Sequence, residues 1–213
     1  DHILTNQVYG VATAELEALI SRRSLYCAKN ANGEHSICQK FENEQGNIWY
    51  QRTSHTWVGG RTRILTANEQ GKEIEATIDG KCSYCGANQR DYDRESLETY
   101  AYPFLHTDDP NEFLREIFGK DMKFDVIIGN PPYQLGQSGG DSVGGFAMPI
   151  YQKFIQSAKG LEPRFISMIT PSRWFAGGRG LDGFRSEMLS DKRLRTLCDF
   201  PNAKEVFPGT QIE

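Results

Sequence analysis

At 213 residues, 38% hydrophobic and 24% charged, the chain has the size and composition of a globular domain with a full core, which excludes a disordered tract and a disulfide-stapled mini-protein. No apolar run reaches the roughly 18 residues of a bilayer span, and the first residues, DHILTNQVYG, have neither a basic start nor an apolar stretch. No membrane partner is therefore expected, and the cytoplasm is the expected compartment. The net charge of −4 argues against a polyanion only until it is divided, because residues 159–195 carry eight Lys or Arg against four Asp or Glu, a local +4.

In chain order, residues 7–11 read as a short strand that runs directly into a helix over residues 13–26, with Thr13 as its N-cap and Leu16, Leu19 and Ile20 as its apolar stripe. Residues 27–95 differ in kind. They are rich in Gly, Asn, Gln and Thr, with alternating pieces at 47–53 and 63–66 between turn signals at 69–72 and 79–81, and read as a β-rich insertion. From residue 96 strand and helix alternate. A strand is expected at 100–105, a helix at 111–118, a continuous buried strand at 124–129, a helix at 149–159, a strand at 165–169, a helix at 181–189 and a strand at 194–200. The expected fold is α/β, with a parallel sheet covered by helices on both faces, interrupted by the insertion; the expected parts are 1–26, 27–95 and 96–213.

Five cysteines make an odd number, and two of them stand as Cys82-Ser-Tyr-Cys85 followed by Gly86. That spacing suits a zinc knuckle, in which backbone amides turn toward the sulfurs and the glycine relieves the tight turn. A second pair of ligands is needed. The upstream donors are Cys27, His35, Cys38 and His55, and the set Cys38, His55, Cys82 and Cys85 is preferred, with a metal-free pair of buried thiols as the alternative. Cys198 falls within an expected strand and reads as core.

The most specific feature is Asn130-Pro131-Pro132-Tyr133, placed at the carboxyl end of the expected strand 124–129. Ligands of open α/β sheets bind outside the carboxyl ends of strands. Two prolines fix φ and remove donors, so the Asn130 amide oxygen and the Pro131 carbonyl are held as acceptors for an exocyclic amine, while Tyr133 offers a flat face to a planar base. The glycine-rich run 136–145 that follows reads as a lid over that pocket.

The run 124–133 (FDVIIGNPPY), together with 149–154 (PIYQKF), Tyr9-Gly-Val, 169–175 (ITPSRWF) and 199–203 (DFPNA), resembles the N6-adenine DNA methyltransferases, and more narrowly the gamma-ordered methylases of type II restriction-modification systems. The resemblance covers most of the chain outside the insertion. It implies a Rossmann-like methyltransferase sheet, of which this chain would hold a part, S-adenosylmethionine as cofactor, double-stranded DNA with a flipped adenine as substrate, and a restriction endonuclease domain or subunit as partner. Carried over by residue, Asn130 and Pro131 would accept from the adenine amine, Pro132 would stiffen the turn and Tyr133 would stack on the base. Asp108 would correspond to the acid that meets the cofactor's adenine; it reads equally as an N-cap before Pro110. The family's ribose-binding acid has no counterpart in Val11-Ala12-Thr13, where Glu15 is the nearest substitute. The family's glycine-rich first loop and its target-recognition region are not found in these residues either, so the expectation is a fragment that is inactive alone. Two other functions stay open: a methyltransferase of the same tetrapeptide acting on RNA adenine or on a protein glutamine amide, and a non-catalytic module in which the zinc-bearing insertion docks nucleic acid or protein.

Overall fold

The computed structural model describes residues 1–67, 72–93, 101–135 and 148–208. The turn expected at 69–72 and the glycine-rich lid expected at 136–145 lie wholly or mainly outside these residues. The chain divides into two compact units, Asp1–Met168 and Ile169–Glu213.

The first unit starts with a short helix α1 (His2–Asn6), a strand β1 (Gly10–Val11) and a helix α2 (Glu15–Tyr26). Thr13 lies one residue outside the N-cap, which is Ala14. The start of α2 is closed from inside instead. The Glu17 carboxylate accepts from the backbone N–H of Thr13 and Ala14 and from the Thr13 hydroxyl at 2.6 Å, which satisfies donors that the first turn leaves open.

The buried face of α2 is Ala18, Arg22 and Tyr26, while Leu16 and Ile20 of the expected stripe are 67% and 57% exposed. The reason is the return of residues 27–47 to β2 (Ile48–Trp49), which pairs in parallel with β1 in the register Gly10 with Ile48 and Val11 with Trp49. Arg22 lies buried against that return. Its Nε and Nη2 donate to the Ile48 carbonyl at 3.0 and 2.9 Å and Nη2 donates to Gln45 Oε1 at 2.6 Å, so the guanidinium has partners for the charge it takes out of water. The Tyr26 hydroxyl accepts from the Asn47 N–H at 2.9 Å. Residues Ala31 and Ile48 thus share a core cluster with Ala18 and Tyr26 of α2. Cys38 is buried in this region, with its backbone held by Ser36.

The β-rich character holds from residue 57. Strands β3 (Trp57–Val58), β4 (Arg61–Ala67), β5 (Lys72–Ile78) and β6 (Lys81–Cys82) form two antiparallel pairs, β4 with β5 and β3 with β6. Asp79, at φ 58°, makes the turn into β6, and the short helix α3 (Gln89–Tyr92) follows. The strand expected at 100–105 is instead an isolated bridge, Thr53 with Ala101, and a 3₁₀ turn over Pro103–Leu105, since Pro103 has no N–H for a ladder.

Helix α4 (Pro110–Phe118) has proline at its first position and Asp109 as its cap, accepting from the Asn111 N–H at 2.8 Å, and it ends on Gly119 at φ 69°. Phe113 meets Trp49 edge to face at 5.4 Å between ring centres. Strand β7 (Val126–Gly129), helix α5 (Tyr151–Gly160) and strand β8 (Phe165–Met168) form a crossover in which β7 and β8 pair in parallel, Val126 with Phe165 through Gly129 with Met168. Helix α5 buries Tyr151, Phe154, Ile155 and Ala158, one face at the spacing of a packed helix. The strand expected to be buried is open to solvent, with Ile128 77% exposed, because among the described residues no other strand pairs with β7 or β8.

The second unit packs a 3₁₀ turn, Ser172–Phe175, on α6 (Asp182–Ser190). Trp174 stands edge-on to Phe175 at 4.7 Å and to Phe184 at 5.8 Å, and Arg185 Nε donates to the Phe175 carbonyl at 2.8 Å. The strand expected at 194–200 does not form, and Cys198, expected in the core, is exposed.

Because Arg22 takes a charge into the buried face of α2 and satisfies the Ile48 carbonyl, Arg22→Ala should lower the unfolding free energy by about 2–3 kcal/mol in urea titrations, and Tyr26→Phe by about 1 kcal/mol. A loss for Arg22→Ala no greater than that of Tyr26→Phe would show that the guanidinium is not the stronger tie.

Candidate functional site

Asn130 follows β7 directly and is exposed; Pro131 is buried and Pro132 and Tyr133 are half-buried. Among the described residues no hydrogen-bond partner satisfies the Asn130 amide. The backbone beyond it is fixed. Gln134 and Pro149 form an isolated antiparallel bridge, the Ile150 N–H donates to the Tyr133 carbonyl at 3.1 Å and the Leu135 N–H donates to the Met148 carbonyl at 2.9 Å. The tetrapeptide is therefore tied at one end to a parallel strand pair and at the other to the entry of α5. Burial pushes the Tyr133 phenol up.

The two expected cofactor acids stand apart in role. Asp109, not Asp108, caps α4, which leaves the exposed Asp108 carboxylate to accept from the Tyr84 hydroxyl; that bond pushes the Tyr84 phenol up. Glu15 is exposed in the first turn of α2, next to Glu17, whose carboxylate is committed to the helix start. The turn between β1 and α2, Ala12-Thr13-Ala14, contains no glycine to cradle a ligand.

Four donors come together elsewhere. His55, Cys82, Cys85 and His106 have ligand atoms that all lie within 4.8 Å of one another, with the two cysteines buried and the two histidines half-buried. Cys85 Sγ is 3.4 Å from His55 Nδ1, and Cys82 Sγ is 3.2 Å from His106 Nε2. The bridge Thr53 with Ala101 and the pair Trp57 with Cys82 bring His55 between the knuckle and the segment that leads to His106. Burial pushes the Cys85 thiol up to about 12 and pushes the His106 imidazole down. Three of the four expected ligands are thus assembled. Cys38 is not among them, since residues 27–47 pack under α2, and Cys27 and His35 are exposed. His106 completes the cluster in place of Cys38, and its signal in the sequence is a histidine downstream of the Cys-x-x-Cys pair.

A family model described as "Eco57I restriction-modification methylase" matches residues 6–207. An "Uncharacterized adenine-specific methylase" of Mycoplasma pneumoniae is 31% identical over 226 residues, an alignment that takes in 100% of this chain and 49% of that protein, so the chain spans about half the length of the curated relative it matches. No solved structure matches it. With the match running from α1 to beyond α6 and across the Asn130–Tyr133 site, the chain belongs to the Eco57I restriction-modification methylase family.

Proposed function

We propose that this chain holds the target-amine site of an adenine-specific N6 methyltransferase acting on double-stranded DNA in a restriction-modification system. The observation that carries the reading is an exposed Asn130 at the carboxyl end of β7, followed by two prolines and a tyrosine whose backbone is pinned to Ile150. The Asn130 amide oxygen and the Pro131 carbonyl accept from the exocyclic amine of a base turned out of the duplex, and as the nitrogen gains positive character these fixed acceptors hold it more strongly than they hold the neutral amine. Tyr133 receives the base on its ring face, which replaces the stacking lost on extrusion.

The fit to S-adenosylmethionine rests on Asp108 and Glu15, exposed carboxylates of the kind that bind ribose and adenine donors; Asp109 takes the α4 cap, and Asp108, which accepts from the Tyr84 hydroxyl, keeps further lone pairs for a ligand. When bound, that cofactor supplies an electrophilic methyl group. The crossover β7-α5-β8 supports a Rossmann-like sheet, since parallel neighbours joined through a helix are its repeating unit. The basic stretch 159–195 supports a polyanionic substrate. The family supports an endonuclease partner, and DNA as substrate supports a cytoplasmic location. Among the described residues no helix is long and apolar enough to cross a membrane.

In the intact parent protein Asn130→Ala should lower transfer of labelled methyl groups into duplex DNA by about 10²–10³-fold while the circular dichroism spectrum is unchanged. Label entering RNA or a protein amide in preference to DNA would overturn the substrate assignment. Tyr133→Ala should weaken base binding by roughly 1–3 kcal/mol, and Tyr133→Phe, which keeps the ring, should bind a duplex with an abasic or mismatched target almost as the parent does. Equal losses for the two substitutions would argue for a hydroxyl role in place of stacking.

A further inference from the structure

We infer that His55 Nδ1, Cys82 Sγ, Cys85 Sγ and His106 Nε2 bind one structural zinc ion, and that this ion seats the far end of the Asn130–Tyr133 segment. The donor set is two thiolates and two imidazoles, the chemistry of tetrahedral zinc and not of calcium or magnesium, which take oxygen. Zinc bonds of about 2.3 Å to sulfur and about 2.0–2.1 Å to nitrogen give a tetrahedron with edges of about 3.3–3.8 Å. Two edges of the cluster are 3.2 and 3.4 Å and all four donor atoms lie within 4.8 Å of one another, so small side-chain movements bring them to that size. Four protein donors close the shell, which is the form of a structural site.

The orientation of His106 supports the assignment. Its Nδ1 is 2.7 Å from the Tyr102 carbonyl, an oxygen that only accepts, so Nδ1 carries the proton and Nε2 presents its lone pair toward Cys82. His55 is held by a stacked contact with Trp57 at 4.8 Å. The knuckle between the cysteines has the turn such a site requires: the Gly86 N–H donates to the Cys82 carbonyl at 2.9 Å, and Gly86 has φ +81°. Charge balance is also met, because a divalent cation neutralises two buried thiolates.

The link to the tetrapeptide is physical contact. Cys82 and Cys85 lie in one apolar cluster with Leu135, Ile150 and Phe154, and Lys153 Nζ donates to the Tyr84 carbonyl inside the knuckle. Leu135 and Ile150 are the residues whose N–H groups tie Tyr133 and Met148 across the bridge. A zinc ion that fixes the knuckle therefore fixes the wall against which that bridge packs. The site rests on its own geometry and not on the proposed methyl transfer.

The test uses the full chain purified without added metal. Elemental analysis should find about one zinc per chain, and X-ray absorption at the zinc edge should fit two sulfur and two nitrogen neighbours. His106→Ala should lose most of the zinc, whereas Cys38→Ala should keep it. Cobalt(II) exchanged into the unaltered protein should give the intense visible bands of a tetrahedral thiolate site, a readout that does not depend on how any variant folds. Removing zinc with a chelator should speed hydrogen exchange at the amides of Leu135 and Ile150 while those of Gly10 and Ala12 in the β1–β2 ladder keep their protection. Folded protein with no zinc and no cobalt bands, iron in place of zinc, or full zinc retention by His106→Ala would overturn the site. Unchanged exchange at Leu135 and Ile150 after zinc removal would overturn the seating role.

Discussion

Two main-chain hydrogen bonds, from Ile150 to Tyr133 and from Leu135 to Met148, decide what the tetrapeptide can be. Without them Asn130 would head a long segment attached to the fold at one end. With them, a run that begins at a strand terminus is closed onto a helix within five residues, and its two prolines have little freedom left to lose. In the proposed methyl transfer, acceptors that need not be reoriented as charge develops would owe their preorganisation to backbone pairing on one side and proline geometry on the other.

The same logic of return and closure governs the amino-terminal part. Helix α2 is built around an arginine that most readings would place in solvent. Its guanidinium satisfies the Ile48 carbonyl at the point where β2 joins β1, so a charged side chain and a parallel ladder stabilise each other. The helix has to present Ala18, Arg22 and Tyr26, and the larger aliphatics at Leu16 and Ile20 turn outward as a result.

What the sequence made legible was whatever local chemistry decides. Helix α4 could be placed because an Asp-Pro start and a glycine end are signals contained within the segment, and β7, α5 and β8 followed from apolar runs of the right length and period. The Cys-x-x-Cys turn was visible for the same reason. The fourth member of that cluster was not, because His106 reaches it only through the Thr53–Ala101 bridge and a turn enforced by Pro103, contacts between segments about fifty residues apart. Residues 27–50 were assigned to an insertion on composition, although their place is set by Arg22 and Tyr26. The strand expected at 194–200 had the right residues but, among the described residues, no neighbouring strand to pair with, and β-propensity without a partner does not make a ladder.

The parallel ladders also set an order of events for the chain. An antiparallel pair such as β4 with β5 closes over a few residues, whereas β1 meets β2, and β7 meets β8, only after some three dozen intervening residues have been drawn in. Closing a loop of that size costs about 3 kcal/mol of chain entropy before the first ladder bond forms. Neither parallel pair is long enough to recover that from its own hydrogen bonds, so each must wait for its crossover helix to bury its face. Collapse of α2 and α5 onto their strands should therefore precede either parallel ladder, and a substitution at Arg22, which ties α2 to β2, should slow assembly as well as lower stability.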